Sequence, residues 1–126
     1  MVTRGSTTKA AGDAGEARAL AQLLAQGLAL VQRNYRVARG PSARGGEVDL
    51  IMRERDGTLV FVEVRSRRSI AFGGAAASVN GSKQRSLVLA AQHFLSSQRT
   101  QPPCRFDVVA LDADRIEWLR GAFDAG

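Results

Sequence analysis

Cysteine, histidine and lysine are almost missing from this chain of 126 residues, and each shortage closes off a kind of chemistry. Cys104 is the only cysteine, so no intrachain disulfide can form and no cysteine-rich zinc site can be assembled. A reducing cytoplasm suits such a chain. With no histidine near it in sequence, Cys104 reads as a small buried apolar residue and not as a reactive thiol. His93 alone is too little for a histidine-based nuclease or metal centre. Residues 1–12 lack the apolar run of a secretory signal or membrane span and read as a flexible basic tail around Arg4 and Lys9. No membrane association is expected. Gly73-Gly74 is not followed by a phosphate-loop lysine, which excludes a nucleoside triphosphate cradle of that type.

Positive charge is present in excess: 18 Lys and Arg against 12 Asp and Glu give a net charge of +6, and only Lys9 and Lys83 of the 18 are lysine. Arginine offers a planar donor fork that matches phosphate oxygens, so the excess favours a polyanion such as nucleic acid. The plainer reading is a solvated arginine-rich surface.

At 44% apolar composition the chain closes one hydrophobic core, and residues 13–126 read as a single domain. Ala17, Leu20, Ala21 and Leu24 repeat at helical spacing, which predicts a helix over 13–26 ended by Gly27. Leu28, Leu30, Tyr35 and Val37 suggest a strand interrupted near Asn34, followed by a polar loop over 39–46. Two alternating segments flank Asp56-Gly57, a tight-turn signal, and predict an antiparallel hairpin through residue 65. Leu87, Ala90, Ala91, Phe94 and Leu95 share one face of a second helix over 82–97, with Ser82 as its N-cap. Two strands, around 106–111 and 115–119, complete the order αβββαββ.

Glu63 interrupts the apolar strand Leu59-Val60-Phe61-Val62-Glu63-Val64-Arg65. A buried carboxylate needs a partner, which is either a cation or Arg65. Asp49 and Glu63 are symmetric about position 56, so the hairpin sets them nearly opposite each other, about 5–8 Å apart. Carboxylates that close repel unless a proton or a metal joins them. A hard cation such as Mg²⁺ would take both, with the Val64 carbonyl. Alternatively both carboxylates pair with arginines on an ordinary sheet surface.

Gly15-Glu16, Gly46-Glu47-Val48-Asp49-Leu50-Ile51, Phe61-Val62-Glu63-Val64-Arg65, Lys83-Gln84 and Arg105-Phe106-Asp107 together resemble the YraN-like family of bacterial proteins, over about residues 13–123. That family is similar in pattern to PD-(D/E)XK nucleases, including archaeal Holliday-junction resolvases. The resemblance implies an α/β restriction-endonuclease-like core, a mixed central sheet flanked by two helices, and an Mg²⁺ or Mn²⁺ site. It implies Asp49, Glu63, the Val64 carbonyl and Glu16 as metal ligands, with Asp49, Glu63, Arg65 and Lys83 in the catalytic set. Lys83 and Gln84 match a basic or amide position that holds water or phosphate. Glu16 also reads as a first-turn glutamate suited to a helix dipole. Arg65 departs from the motif, which has lysine there, and a guanidinium cannot lose its proton near neutral pH. Catalysis is thereby weakened as an inference, though phosphate binding is not.

Arg36, Arg39 and Arg44 before Asp49, and Arg67, Arg68, Gln84 and Arg85 after Glu63, are positioned to carry phosphates past the site. The expected function is a metal-dependent endonuclease on structured or branched DNA, with DNA favoured over RNA and a homodimer for a symmetric junction. Two alternatives stand beside it: a nucleic-acid-binding module with this fold and little chemistry, and an interaction protein whose arginine loops bind an acidic partner.

Overall fold

The computed structural model describes residues 4–38, 45–66 and 74–124, with side chains from residue 13 onward apart from those of 75 and 76. The elements run α1 (Arg4–Ala25), β1 (Ala29–Val37), β2 (Gly46–Arg53), β3 (Leu59–Ser66), α2 (Gly74–Ala77), α3 (Gly81–Ser96), β4 (Cys104–Leu111) and β5 (Ile116–Phe123). One five-stranded sheet has the order β1-β2-β3-β4-β5. Among the described residues β3 and β4 form the one parallel pair, joined by the crossover that carries α3. This is the expected α/β arrangement, a mixed sheet between two long helices, consistent with a restriction-endonuclease-like core.

The strand period explains the layers. Phe61, on one face of β3, packs with Leu87, Ala90 and Phe94 of α3, whereas Val60 and Val62 on the other face pack with Ala19 and Leu23 of α1. Aromatic contacts knit the α3 side: Phe61 meets Phe94 edge-on at 6.2 Å and Phe106 at 5.7 Å, and Phe106 stacks on Phe123 at 4.9 Å. On the α1 side, buried Asp107 accepts from Arg105 Nε at 3.0 Å, Trp118 Nε1 at 2.8 Å and the Gly121 N–H at 3.0 Å. Arg105 also pairs with Glu54, so this network ties β4 to β5 and to the end of β2.

Several details differ from the sequence expectation. α1 begins at Arg4, so the backbone of residues 4–12, expected to be a tail, continues the helix; Ala10, Ala11 and Ala14 favour it and no proline interrupts. Asn80, not Ser82, caps α3, its side chain accepting from the Lys83 N–H at 3.0 Å. β5 runs to Phe123, past the predicted end at 119, and the one-turn α2 had no periodic signal. Cys104, expected to be buried, is exposed because it opens β4 before the sheet closes over the strand. The strand expected to break near Asn34 runs unbroken over Ala29–Val37: Asn34 takes φ 51° without a change of register, and the β1–β2 register shifts earlier, between Leu30 and Gln32. No described helix is long and apolar enough to cross a membrane.

Candidate metal and nucleic-acid site

The hairpin fixes the first two residues. Its register pairs Leu50 with Val62, Ile51 with Phe61 and Met52 with Val60, a series centred on Asp56 as the turn chemistry requires. One step beyond the Leu50–Val62 pair, on the side away from the turn, stand Asp49 and Glu63. Here the Val64 N–H is accepted by Asp49 Oδ2 at 2.8 Å. A strand residue directs its N–H and C=O to the same side, so the Val64 carbonyl faces the same opening between β2 and β3. The site lies toward the carboxyl end of a parallel strand, where open α/β sheets offer their crevices.

Glu63 is only 3% exposed. Burial, then the neighbouring Asp49 charge and a side-chain hydrogen bond with Asp49, push its pKa from 4.5 up to about 8, with Lys83 acting in the opposite direction. Among the described residues two cations face it: Lys83 Nζ lies 3.3 Å and Arg65 Nη1 3.5 Å from Glu63 Oε2. Arg65 is further held through Nη2, which donates to the Ser78 carbonyl at 3.4 Å, while its Nε is buried without a hydrogen-bond partner among the described residues. Of the two sequence readings of the Glu63 partner, the Arg65 ion pair is present, and Asp49 stands beside it as a second carboxylate.

Glu16 approaches Asp49 from α1. Its pKa is raised, first by burial and next by the Asp49 charge, and its Oε1 is buried without a hydrogen-bond partner. The acidic neighbours that raise it are Asp49 and Asp13, and among the described residues no donor reaches this oxygen. No three His, Cys, Asp or Glu side chains among the described residues are gathered closely enough to form a ready-made metal shell.

α3 reaches the site because Gly46 lets it. A Cβ at residue 46 would stand 2.6 Å from the Ser86 carbonyl oxygen and 2.8 Å from the Ala90 nitrogen, so β2 and α3 touch backbone to backbone. Ser86 Oγ then accepts from the Glu47 N–H at 3.2 Å. One turn earlier on α3, Lys83 projects toward Glu63 and also lies 3.6 Å from Glu47 Oε1. Glu47, not foreseen as a site residue, also meets Arg36 Nε at 3.4 Å; the strand pairing Arg36↔Glu47 brings them together.

Beside this cluster a depression of about 350 Å³ is lined by Gly45, Ser82, Arg85, Ser86 and Leu89. A second, of about 360 Å³, shares Gly45 and Ser86 with it and extends to Arg36 and Glu47. Arg36 and Arg85 are exposed along this trough, as a phosphate track requires. Gln84 instead turns its amide to the Val79 carbonyl, 2.9 Å away, and thereby braces the loop before α3. Arg39, Arg44, Arg67 and Arg68 lie outside the described residues.

Comparison with known proteins fits the motif residues. The model of the family described as "Uncharacterised protein family UPF0102" matches residues 15–111. A UPF0102 protein of Methylibium petroleiphilum is 64% identical over 119 residues, covering 94% of this chain and 98% of the relative. One from Acidovorax sp. strain JS42 is also 64% identical over 119 residues, covering 94% and 88%, and one from Cupriavidus pinatubonensis is 60% identical over 119 residues, covering 94% and 89%. With the match spanning the hairpin, both strand carboxylates and α3, the chain belongs to the UPF0102, or YraN-like, family.

Proposed function

We propose that this protein is a divalent-cation-dependent phosphodiesterase that cuts structured or branched DNA. The observation that carries the proposal is the meeting of Asp49 and Glu63 beyond the end of the β2–β3 ladder, with a cationic pair, Lys83 and Arg65, against the buried member. Mg²⁺ or Mn²⁺, when bound, supplies a Lewis acid for a phosphate oxygen and activates water. Asp49, Glu63 and the Val64 carbonyl would hold the cation, with Glu16 completing the oxygen donors from α1. Arg65 cannot act as a base; its fixed guanidinium and the Lys83 ammonium offset charge that builds on the phosphate. Arg36 and Arg85 hold the nucleic-acid backbone in the trough and give no sequence preference by themselves.

A second reading has its own support. Arginine at the motif's lysine position and the lack of a closed three-ligand set among the described residues favour a DNA-binding module with little chemistry. Cleavage of end-labelled single-stranded, duplex and four-way-junction DNA, with Mg²⁺ or Mn²⁺ and with chelator, separates the two. Cation-dependent cutting that Asp49→Asn and Glu63→Gln abolish supports the nuclease. Binding without cutting by wild type under every condition favours the module.

A further inference from the structure

Lys83 is held by two carboxylates of unlike surroundings. Its ammonium lies 3.3 Å from Glu63, which is 3% exposed, and 3.6 Å from Glu47, which is 45% exposed. We infer that Lys83 is a tethered, movable counter-ion: it pairs with Glu63 while the cation is absent and transfers to Glu47 when a divalent cation takes Asp49 and Glu63. This rests on the cation-site reading above.

Four observations lead there. A carboxylate as buried as Glu63 requires positive charge beside it when ionised, and the ammonium supplies it 3.3 Å from Oε2. A cation ligated by that oxygen would sit about 2 Å from it, too near for a second positive charge to remain in place. Arg65, the other cation on Oε2, is restrained by its bond to the Ser78 carbonyl, whereas Lys83 carries a compact charge on a flexible four-carbon stem. Finally, Glu47 is already within reach, its backbone N–H held by the Ser86 hydroxyl and its carboxylate paired with Arg36, so the transfer needs a stem rotation and no backbone movement. The rotation would also carry the ammonium to the trough that Arg36 lines, so filling the cation site would prepare the phosphate site.

Calorimetric titration with Mn²⁺ alone, under argon at pH about 8.5, tests this on the full chain. Lys83→Met should bind Mn²⁺ at least about tenfold more tightly than wild type, while its cleavage of DNA falls; Lys83→Arg, which keeps the charge, should bind within about twofold of wild type. Glu47→Gln, which removes the receiving carboxylate, should bind at least about threefold more weakly. Lys83→Gln serves if the methionine variant does not fold. Equal Mn²⁺ affinity in wild type and both neutral Lys83 variants overturns the counter-ion role, and an unchanged Glu47→Gln overturns the transfer. If neither wild type nor any Lys83 variant binds Mn²⁺, the cation-site reading itself fails, a result distinct from binding that Lys83 does not influence.

Discussion

Replacing Glu63 by glutamine isolates what burying this carboxylate costs. Burial and the Asp49 charge raise its pKa from 4.5 to about 8, so between those values the folded protein keeps a proton that the unfolded chain has lost. The stability held by the protonated form is complete below about pH 4.5 and is lost as the pH rises through about 8. At about 1.4 kcal/mol per pH unit, the interval corresponds to a decline on the order of 5 kcal/mol. Glutamine has no such proton to lose. Part of the gain is offset, because the neutral amide is a weaker acceptor for Lys83 and Arg65, although these are 29% and 24% exposed and can turn to water. We therefore expect Glu63→Gln to equal wild type or fall slightly below it at pH 5 and to exceed it by about 2–4 kcal/mol at pH 9. Urea unfolding of both proteins at the two pH values measures this, since titrations of groups remote from Glu63 cancel in the difference. A variant destabilised equally at both pH values would refute the reasoning. It would mean that the ion pairs with Lys83 and Arg65 outweigh the burial of the carboxylate, and that Glu63 is an ordinary structural anion.

Other perturbations follow from the same geometry. Gly46→Ala places a methyl group against the Ser86 carbonyl and the Ala90 nitrogen, so α3 must shift; we expect a loss of about 1–3 kcal/mol by urea unfolding, and slower cleavage because Lys83 moves with the helix. Asp107→Ala removes the acceptor of Arg105 Nε, the Trp118 indole N–H and the Gly121 N–H; because Arg105 is 22% exposed and keeps Glu54, the loss should be about 1–3 kcal/mol, with DNA affinity per folded molecule unchanged. Neutralising Arg36 and Arg85 should lower the slope of log affinity against log salt by about 1 for each DNA phosphate that is no longer neutralised, in filter-binding or anisotropy titrations. An unchanged slope would place the DNA track elsewhere.

The part of the site built by local chemistry could be read from the sequence. Asp56-Gly57 sets a turn, a turn sets a register, and a register centred on 56 sets residue 49 against residue 63. The apolar faces of α1 and α3 were legible for the same reason, since period 3.6 needs only nearby residues. What was not legible depends on packing between distant segments. Glu47 carries no sign that Lys83, 36 positions later, will share it with Glu63, because that follows from how closely Gly46 admits α3. The Asp107 network joins β2, β4 and β5, and only tertiary packing reveals why a carboxylate in an apolar strand is tolerated there. Cys104 misled because strand alternation says nothing about how far a sheet covers its first residue. The α3 cap was missed because Asn80 and Ser82 are both good N-cap residues, and the choice between them is made by where the chain enters from the sheet.

The most direct test of the central claim is anomalous diffraction from crystals soaked in Mn²⁺. We expect one peak between β2 and β3, about 2.0–2.3 Å from carboxylate oxygens of Asp49 and Glu63 and from the Val64 carbonyl, with the Lys83 ammonium withdrawn from Glu63. Well-ordered crystals without a peak there, with Lys83 still paired to Glu63 at millimolar Mn²⁺, would contradict the claim that these carboxylates form a cation site.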